Sequence, residues 1–372
     1  MDISTLFVLA SLLFGAIIGD AVVFGKTMRA EFTLPKTVET QGFTQDAAEN
    51  IFISEFARIA DIPFILPFPT VAQANKDSLL SVVAKPLKID PIVELLQDKF
   101  GADRVSMKLL MVPSPEEGKL QVTALVTTSG GQSKKFVVAG PDKAPAALIE
   151  ETARQIAADL LPYRVSLSYY DQGLAGKPER FAAARELASA ALQSGFDKTR
   201  ATQHGMLFNV LGLVAAQQKN LAAADEYWAD GMQVPMASGT ATAILAANRA
   251  VLAVARKDPK AAREFYNIAM ASKTPPYLDY FDLHLEMINA IILWSEGKHQ
   301  EAETNFLYVE RVLVGDTAPN YRARLLQHMN RNEEAQAVAK RAAYLKTIRN
   351  QHPDLVGSVF WVDPVNGGLT PR

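Results

Sequence analysis

The chain opens on an uncharged apolar run of 17 residues, Ile3 to Gly19 (ISTLFVLASLLFGAIIG); Asp20 interrupts it and AVVFG continues it to Gly25. A membrane-spanning helix needs roughly 17–25 apolar residues, so the run qualifies as an anchor. A cleaved secretory signal and a buried core helix are the competing readings. The leading MDIS carries no Lys or Arg and no A-x-A site follows, which favours an uncleaved anchor over residues 1–25. Beyond it the pattern becomes alternating, then helical. Residues 29–34 place Ala30, Phe32 and Leu34 on one face and predict a strand; Thr44 caps a helix carrying Ala48, Ile51, Phe52 and Phe56. Asp90-Pro91 opens a second helix that ends before Gly101. Alternation at 104–112, 119–127 and 134–139 predicts three more strands, joined by the turns PSPEEG and SGGQ, and a helix follows at about 145–161. The order is β-α-α-β-β-β-α, an α+β domain over 27–162 in which an antiparallel meander is covered on one face by helices. The Pro-rich IPFILPFP at 62–69 reads as an extended segment packed under those helices, or as an exposed apolar ligand.

Residues 163–350 are Ala-rich, helical and self-similar. A small residue is followed twelve later by Ala, four on by an aromatic or apolar residue and three on by a small one. Gly212, Ala224, Trp228 and Gly231 fit, as do Ala250, Ala262, Tyr266 and Ala269, then Ala290, Ala302, Phe306 and Val309. Ala323, Ala335, Ala339 and Ala342 fit less well, and Ala183, Leu187 and Ala190 form a degenerate earlier copy. The starts are separated by 38, 40 and 33 residues. Each unit reads as two antiparallel helices that must stack to bury a common core; a plain helical bundle is the other reading. A tail at 351–372 ends the chain.

The spacing resembles the tetratricopeptide repeat, whose unit is about 34 residues. The fold class expected is therefore a small α+β domain followed by an all-α, tetratricopeptide-like array, behind one N-terminal transmembrane helix. FTLPKTVETQGFT (residues 32–44), IDPIVELLQDKFG (89–101), LLPYRVSLSYYD (160–171) and the repeats together resemble a group of bacterial membrane-anchored tetratricopeptide proteins. That resemblance implies an inner-membrane protein with its body in the periplasm and brings no catalytic residue with it. The charges point the other way. Lys26, Arg29 and Lys36 follow the span and none precedes it, which by the positive-inside rule puts the body in the cytoplasm.

Composition narrows the chemistry. Lys plus Arg is 38 and Asp plus Glu 40, so the net charge is −2 and no basic footprint for nucleic acid exists. Cysteine is absent, which removes thiolate metal sites, disulfides and cysteine nucleophiles. No phosphate-binding glycine loop, zinc-protease helix or nucleophile elbow occurs. Ser129-Gly130-Gly131 joins two alternating strands and reads as a hairpin turn, as does Glu116-Glu117. His299 falls in the loop GKHQEA, and His204, His284, His328 and His352 show no ligand spacing. No catalytic residue, cofactor or metal is expected.

The expected function is therefore a non-enzymatic, membrane-anchored scaffold or adaptor that holds a protein partner, itself a membrane or envelope protein. In tetratricopeptide arrays the first helix of each unit lines a concave groove. The resemblance places Met206, Asn209, Leu213, Ile244, Val251, His284, Met287, Ile291, Trp294, Asn320 and Arg324 there. Such a groove suits an amphipathic helix or an extended apolar peptide. A neighbouring helix, or the tail segment VFWV at 359–362, is the internal candidate to fill it. The alternative function is a sensory module binding a small apolar ligand or an envelope polymer between the two domains.

Overall fold

Alternation organises the first unit. The computed structural model describes residues 28–39, 42–60, 105–128, 133–195, 201–235, 237–273, 281–312, 315–351 and 361. They divide into two units, one ending at Leu160 and the other beginning at Leu161. Strands β1 (Met28–Thr33), β2 (Val105–Pro113), β3 (Lys119–Thr128) and β4 (Ser133–Pro141) form one sheet in the order β1-β2-β3-β4. Phe32, Met107, Leu109, Val122, Ala124 and Val138 lie on the buried face, while Leu110, Leu125 and Val137 are exposed on the other. Two short-range helices, α1 (Lys36–Glu39) and α2 (Gln45–Ala60), follow β1, and α3 (Pro145–Leu160) follows β4. The Thr44 hydroxyl accepts from the Ala47 amide at 3.2 Å and caps α2 as the sequence predicts. Phe52 of α2 meets Phe32 edge-on at 5.7 Å, and α3 buries Leu148, Ile149, Ala153 and Ile156. Arg154 of α3 reaches Glu55 of α2 at 3.3 Å.

The expected meander of three strands is present, and the first strand, whose partner the pattern does not choose, joins its edge. β2, β3 and β4 are antiparallel neighbours, but β1 pairs with β2 in parallel, Phe32 opposite Leu109. Parallel partners need a crossover between them, and α1 and α2 belong to that crossover. Several expected features lie outside the described residues: the anchor within 1–25, IPFILPFP, the helix at 91–100 and the SGGQ turn. Among the described residues no helix is long and apolar enough to cross a membrane.

The described elements of the second unit are all helices. Its described helices are α4 (Pro162–Leu174), α5 (Arg180–Gln193), α6 (Ala201–Gln217), α7 (Leu221–Met232), α8 (Gly239–Ala255), α9 (Pro259–Ser272), α10 (Phe281–Ser295), α11 (His299–Val312), α12 (Thr317–His328) and α13 (Asn332–Gln351). They pack as successive pairs, α4 with α5 through to α12 with α13. The first helices of the pairs, α4, α6, α8, α10 and α12, also follow one another in contact, whereas the second helices make no comparable contact among themselves. The stack is therefore tighter on the first-helix side.

One turn recurs at every pair. After α6, the Asn220 amide donates to the Ala215 carbonyl and the Lys219 amide to the Ala216 carbonyl, each at 2.9 Å. Lys257 and Asp258, Gly297 and Lys298, and Asn330 and Arg331 repeat that double bond after α8, α10 and α12. Gly176 and Lys177 repeat it after α4. This is a Schellman turn, which satisfies the last carbonyls of the first helix and requires one left-handed residue. Gly176, Lys219, Lys257, Gly297 and Asn330 hold that position with φ between 61° and 101°. From Lys219 onward they are separated by 38, 40 and 33 residues, the period of the small residues in the sequence.

The small residues sit where helices meet closely. Ala250, Ala262, Ala290 and Ala302 are wholly buried, as are Trp228 and Phe306. A Cβ added at Gly212 would lie 2.2 Å from the Trp228 indole nitrogen, so only glycine admits that ring. Fully burying a large apolar side chain contributes ~1.5–3 kcal/mol, and these aromatics carry much of that gain. The degenerate first pair buries Ala184 and Ala188 rather than Ala183 and Leu187, one position out from the frame read in the sequence. In the last pair Ala339 is exposed and Val338 is buried instead.

Candidate partner-binding face

The predicted residues fall on the first helices of four successive pairs, and the apolar ones among them belong to one buried cluster. Met206, Asn209 and Leu213 come from α6, Ile244 and Val251 from α8, His284, Met287, Ile291 and Trp294 from α10, and Asn320 and Arg324 from α12. Their exposure divides them. Met206, Asn209, Leu213, Ile244, Val251, Met287, Ile291 and Trp294 are buried in the folded chain, none above 3%. His284, Asn320 and Arg324 are half-buried, and Gln327 on the same helix as the last two is exposed. The apolar part is thus packed within the array, and the surface open to another molecule is the polar part toward α12.

The buried part contains a polar device. Asn209 of α6 and Asn248 of α8 are both fully buried in surroundings of Ala, Leu and Val. The Asn248 amide nitrogen donates to the Asn209 side-chain oxygen at 2.7 Å. That bond fixes which way the Asn248 amide faces and turns its oxygen outward. The oxygen accepts the backbone N–H of Trp361 at 2.6 Å. Trp361 is itself buried, and its ring lies 5.9 Å from that of Trp228, the residue admitted by Gly212. Burying an amide without partners costs ~1–3 kcal/mol by mutational measures, so two adjacent buried asparagines need a main chain or another polar group beside them. Here one supplies the orientation and the other grips a backbone amide.

Charged residues lock neighbouring pairs in register, one residue beyond the repeat alanine of α7, α9 and α11. Asp225 of α7 accepts from Arg249 of α8 at 2.7 Å and from Arg256, just past that helix, at 2.6 Å. Arg263 of α9 donates to Asn289 of α10 at 2.7 Å and to Glu296, just past it, at 2.9 Å. The geometry repeats with the charges exchanged. Glu303 of α11 continues it by meeting Arg331 at 2.5 Å. Burial pushes the Asp225 carboxyl up, but hydrogen bonds from Arg256 and Arg249 outweigh it and hold it below its ordinary value. Glu296 is held down likewise by Arg263 and Lys298 against its burial. Burial raises Glu310 of α11, which has Arg322 of α12 at 3.2 Å.

His299, expected in a loop, stands at the start of a helix instead. His299 opens α11, half-buried, and its ring meets that of His328 edge-on at 4.9 Å, with Trp294 6.3 Å from His328. Among the described residues no three His, Asp or Glu side chains are grouped as a metal ion would need.

The sequence frame placed Asn209 in the expected groove and offered the segment at 359–362 as its internal candidate occupant. It missed Asn248, which falls one position off the mapped frame, and it missed the charge exchange at the pair junctions. Both were visible as polar residues next to the repeat alanines: Asn248 and Arg249 before Ala250, Asp225 after Ala224, Arg263 after Ala262. No protein-family model matches the chain, and no curated protein matches it.

Proposed function

We propose that this protein is a non-enzymatic scaffold, anchored in a bacterial inner membrane by residues 3–25, that holds a protein partner against a tetratricopeptide-like array. The observation that carries the reading is the recurrence of one helical hairpin, with its left-handed turn residue and small-residue contacts at a common period. Stacked hairpins give an extended binding surface rather than a closed pocket. The Asn209–Asn248 pair supports a polypeptide as the kind of ligand, because it already binds a backbone amide. A protein fixed to a bilayer raises the local concentration of whatever its array holds, and orients it, without chemistry of its own.

The partner, in this reading, is a membrane or envelope protein, and its first contacts are His284, Asn320, Arg324 and Gln327. The test is purification of the tagged full-length protein in mild detergent with mass spectrometry of what accompanies it. A stoichiometric partner, lost from Asn320→Ala/Arg324→Ala protein that keeps its wild-type melting temperature, is the expected result. A monomeric protein with no partner in the membrane fraction would sink the scaffold reading. So would a protein that fractionates as soluble.

A further inference from the structure

Three exposed large apolar side chains share one surface, the outer face of the N-terminal sheet. Leu110, Leu125 and Val137 are 44–50% exposed there. The described helices of that unit pack on the other face, Phe52 on Phe32 and Leu148 against Gly140. The register fixes the pattern of the outer face. Glu31, Lys108, Leu125 and Lys135 form one cross-strand row, and Thr33, Leu110, Thr123 and Val137 the next but one along the strands. The first row starts with an acid on the edge strand β1 and ends with a base on the edge strand β4, and both are exposed. An apolar middle with opposite charges at its two edges is complementary to a copy of itself turned so that the edges exchange.

We propose that this face is a dimer interface, on which a second copy of the chain seats its own sheet about a two-fold axis running along the strands. Under that axis β1 of each copy lies over β4 of the other, and β2 over β3. Glu31 faces the second copy's Lys135, twice by symmetry. Leu110 faces Thr123, and the second copy's Val137 comes over Thr33, at the rim of a shallow depression between Glu31, Lys108, Leu110 and Leu125. Aligned sheets pack in this manner, ~10 Å apart with ~30° between strand directions. An axis across the strands would instead stack β1 on β1 and leave each Glu31 away from Lys135. Four strands ~4.8 Å apart and about nine residues long cover about 500 Å² per copy, so about 1,000 Å² in all, the lower bound for a stable interface. Confinement of both chains to one surface favours a contact of that size. β1 begins at Met28, just after the segment read as the anchor, and a two-fold along the strands puts both of its amino ends at the same end of the dimer. Two chains anchored in one bilayer need that arrangement. The same-side requirement rests on the anchored-scaffold reading; the charge pattern does not.

The test uses full-length chains carrying two different tags, co-expressed and purified in mild detergent. Each wild-type chain should bring down the other. Glu31→Lys sets Lys against Lys at two places, and Lys135→Glu sets Glu against Glu. Each variant, paired with itself, should raise the dissociation constant at least ~10-fold, because one substitution reverses both symmetry-related pairs. Glu31→Lys mixed with Lys135→Glu should pair as wild type does, since every facing pair is then opposite in charge. The chain has no cysteine, so its geometry can be probed cleanly. A Thr33→Cys copy should cross-link to a Val137→Cys copy through a short bismaleimide, and a Thr33→Cys copy should not cross-link to itself. A wild-type chain that is monomeric both in detergent and in a bilayer overturns the proposal. So does self-pairing of the charge variants at wild-type strength, or no recovery on mixing two variants whose circular-dichroism melts are cooperative. If the charge variants fail to fold, the cross-links decide, and a Thr33→Cys self-link as strong as the mixed one overturns the proposal. A dimer that fractionates as soluble would sink the anchored scaffold and leave the interface standing. A monomer recovered from the membrane with its partner would do the reverse.

Discussion

At the scale of single residues, the array depends on what is missing as much as on what is present. Gly212 lies in the middle of α6, where exchange for alanine ordinarily gains ~1 kcal/mol of helix propensity. Here the added Cβ meets the Trp228 indole at 2.2 Å, and the ring is wholly buried with no room to retreat. Overpacking of this kind costs ~1–3 kcal/mol, sometimes more, and with a contact this short it wins. Gly212→Ala is therefore expected to destabilise the protein by about 2 kcal/mol net, seen as a lower denaturant midpoint at unchanged slope. A raised midpoint would mean that Trp228 does not pack through that gap. Such a residue is legible in a sequence because a glycine inside a helix needs a reason and an aromatic sixteen residues later supplies one. Asn248 is not legible in the same way: asparagine is common on helix surfaces, and only the fold buries this one beside Asn209.

At the scale of elements, stacking order is written in charge. The second helix of one pair carries Asp225 and finds two arginines on the next; the following pair carries Arg263 and finds Asn289 and Glu296. Shifting a pair by one place along the stack would set Arg against Arg, so the exchange specifies neighbours as well as contributing stability. Part-exposed pairs of this kind are worth up to ~1 kcal/mol. Their pH dependence has a definite sign. Asp225 and Glu296 are held below the ordinary carboxylate value, so the unfolded chain binds more protons in acid. The stability they add is present above about pH 4, the ordinary unfolded value, and is lost as pH falls through the depressed folded values. Asp225→Asn should lower the melting temperature at pH 7 by ~2–4 °C, the shift for ~1 kcal/mol in a chain of this size. It should also flatten the fall in melting temperature between pH 5 and pH 2. A variant that loses stability equally at pH 7 and at pH 2 would contradict the assigned pairing.

The elements also mark where sequence reading stops. Alternation assigned the buried face of β1, β2 and β3, because side-chain period alone decides it. It could not choose β1's neighbour, since a parallel and an antiparallel partner bury the same residues. The repeat period was legible because close helix contact demands small residues at fixed spacing. The degenerate first pair slipped by one position because Ala183, Ala184 and Ala188 offer equivalent choices in a helix with many alanines. The residues read as a groove fall on the first helices of the pairs, and the structure buries most of them. Which side chains of a first helix stay open depends on contacts between distant parts of the chain, which leave no periodic trace.

At the scale of the whole molecule, the proposed scaffold would hold another polypeptide on the first-helix side of its array. That side is apolar and buried in its middle and polar toward α12, where Asn320 and Arg324 are half-buried and Gln327 is exposed. The opposite side carries its own exposed apolar residues, Ile268 on α9 and Tyr308 on α11, and is the natural rival surface. Photo-crosslinking in the native membrane separates the two most directly. A benzoylphenylalanine placed at Asn320 or Gln327 should capture one discrete partner, and one placed at Ile268 or Tyr308 should not. Capture from Ile268 and Tyr308 with none from Asn320 and Gln327 would contradict the assignment of the working face.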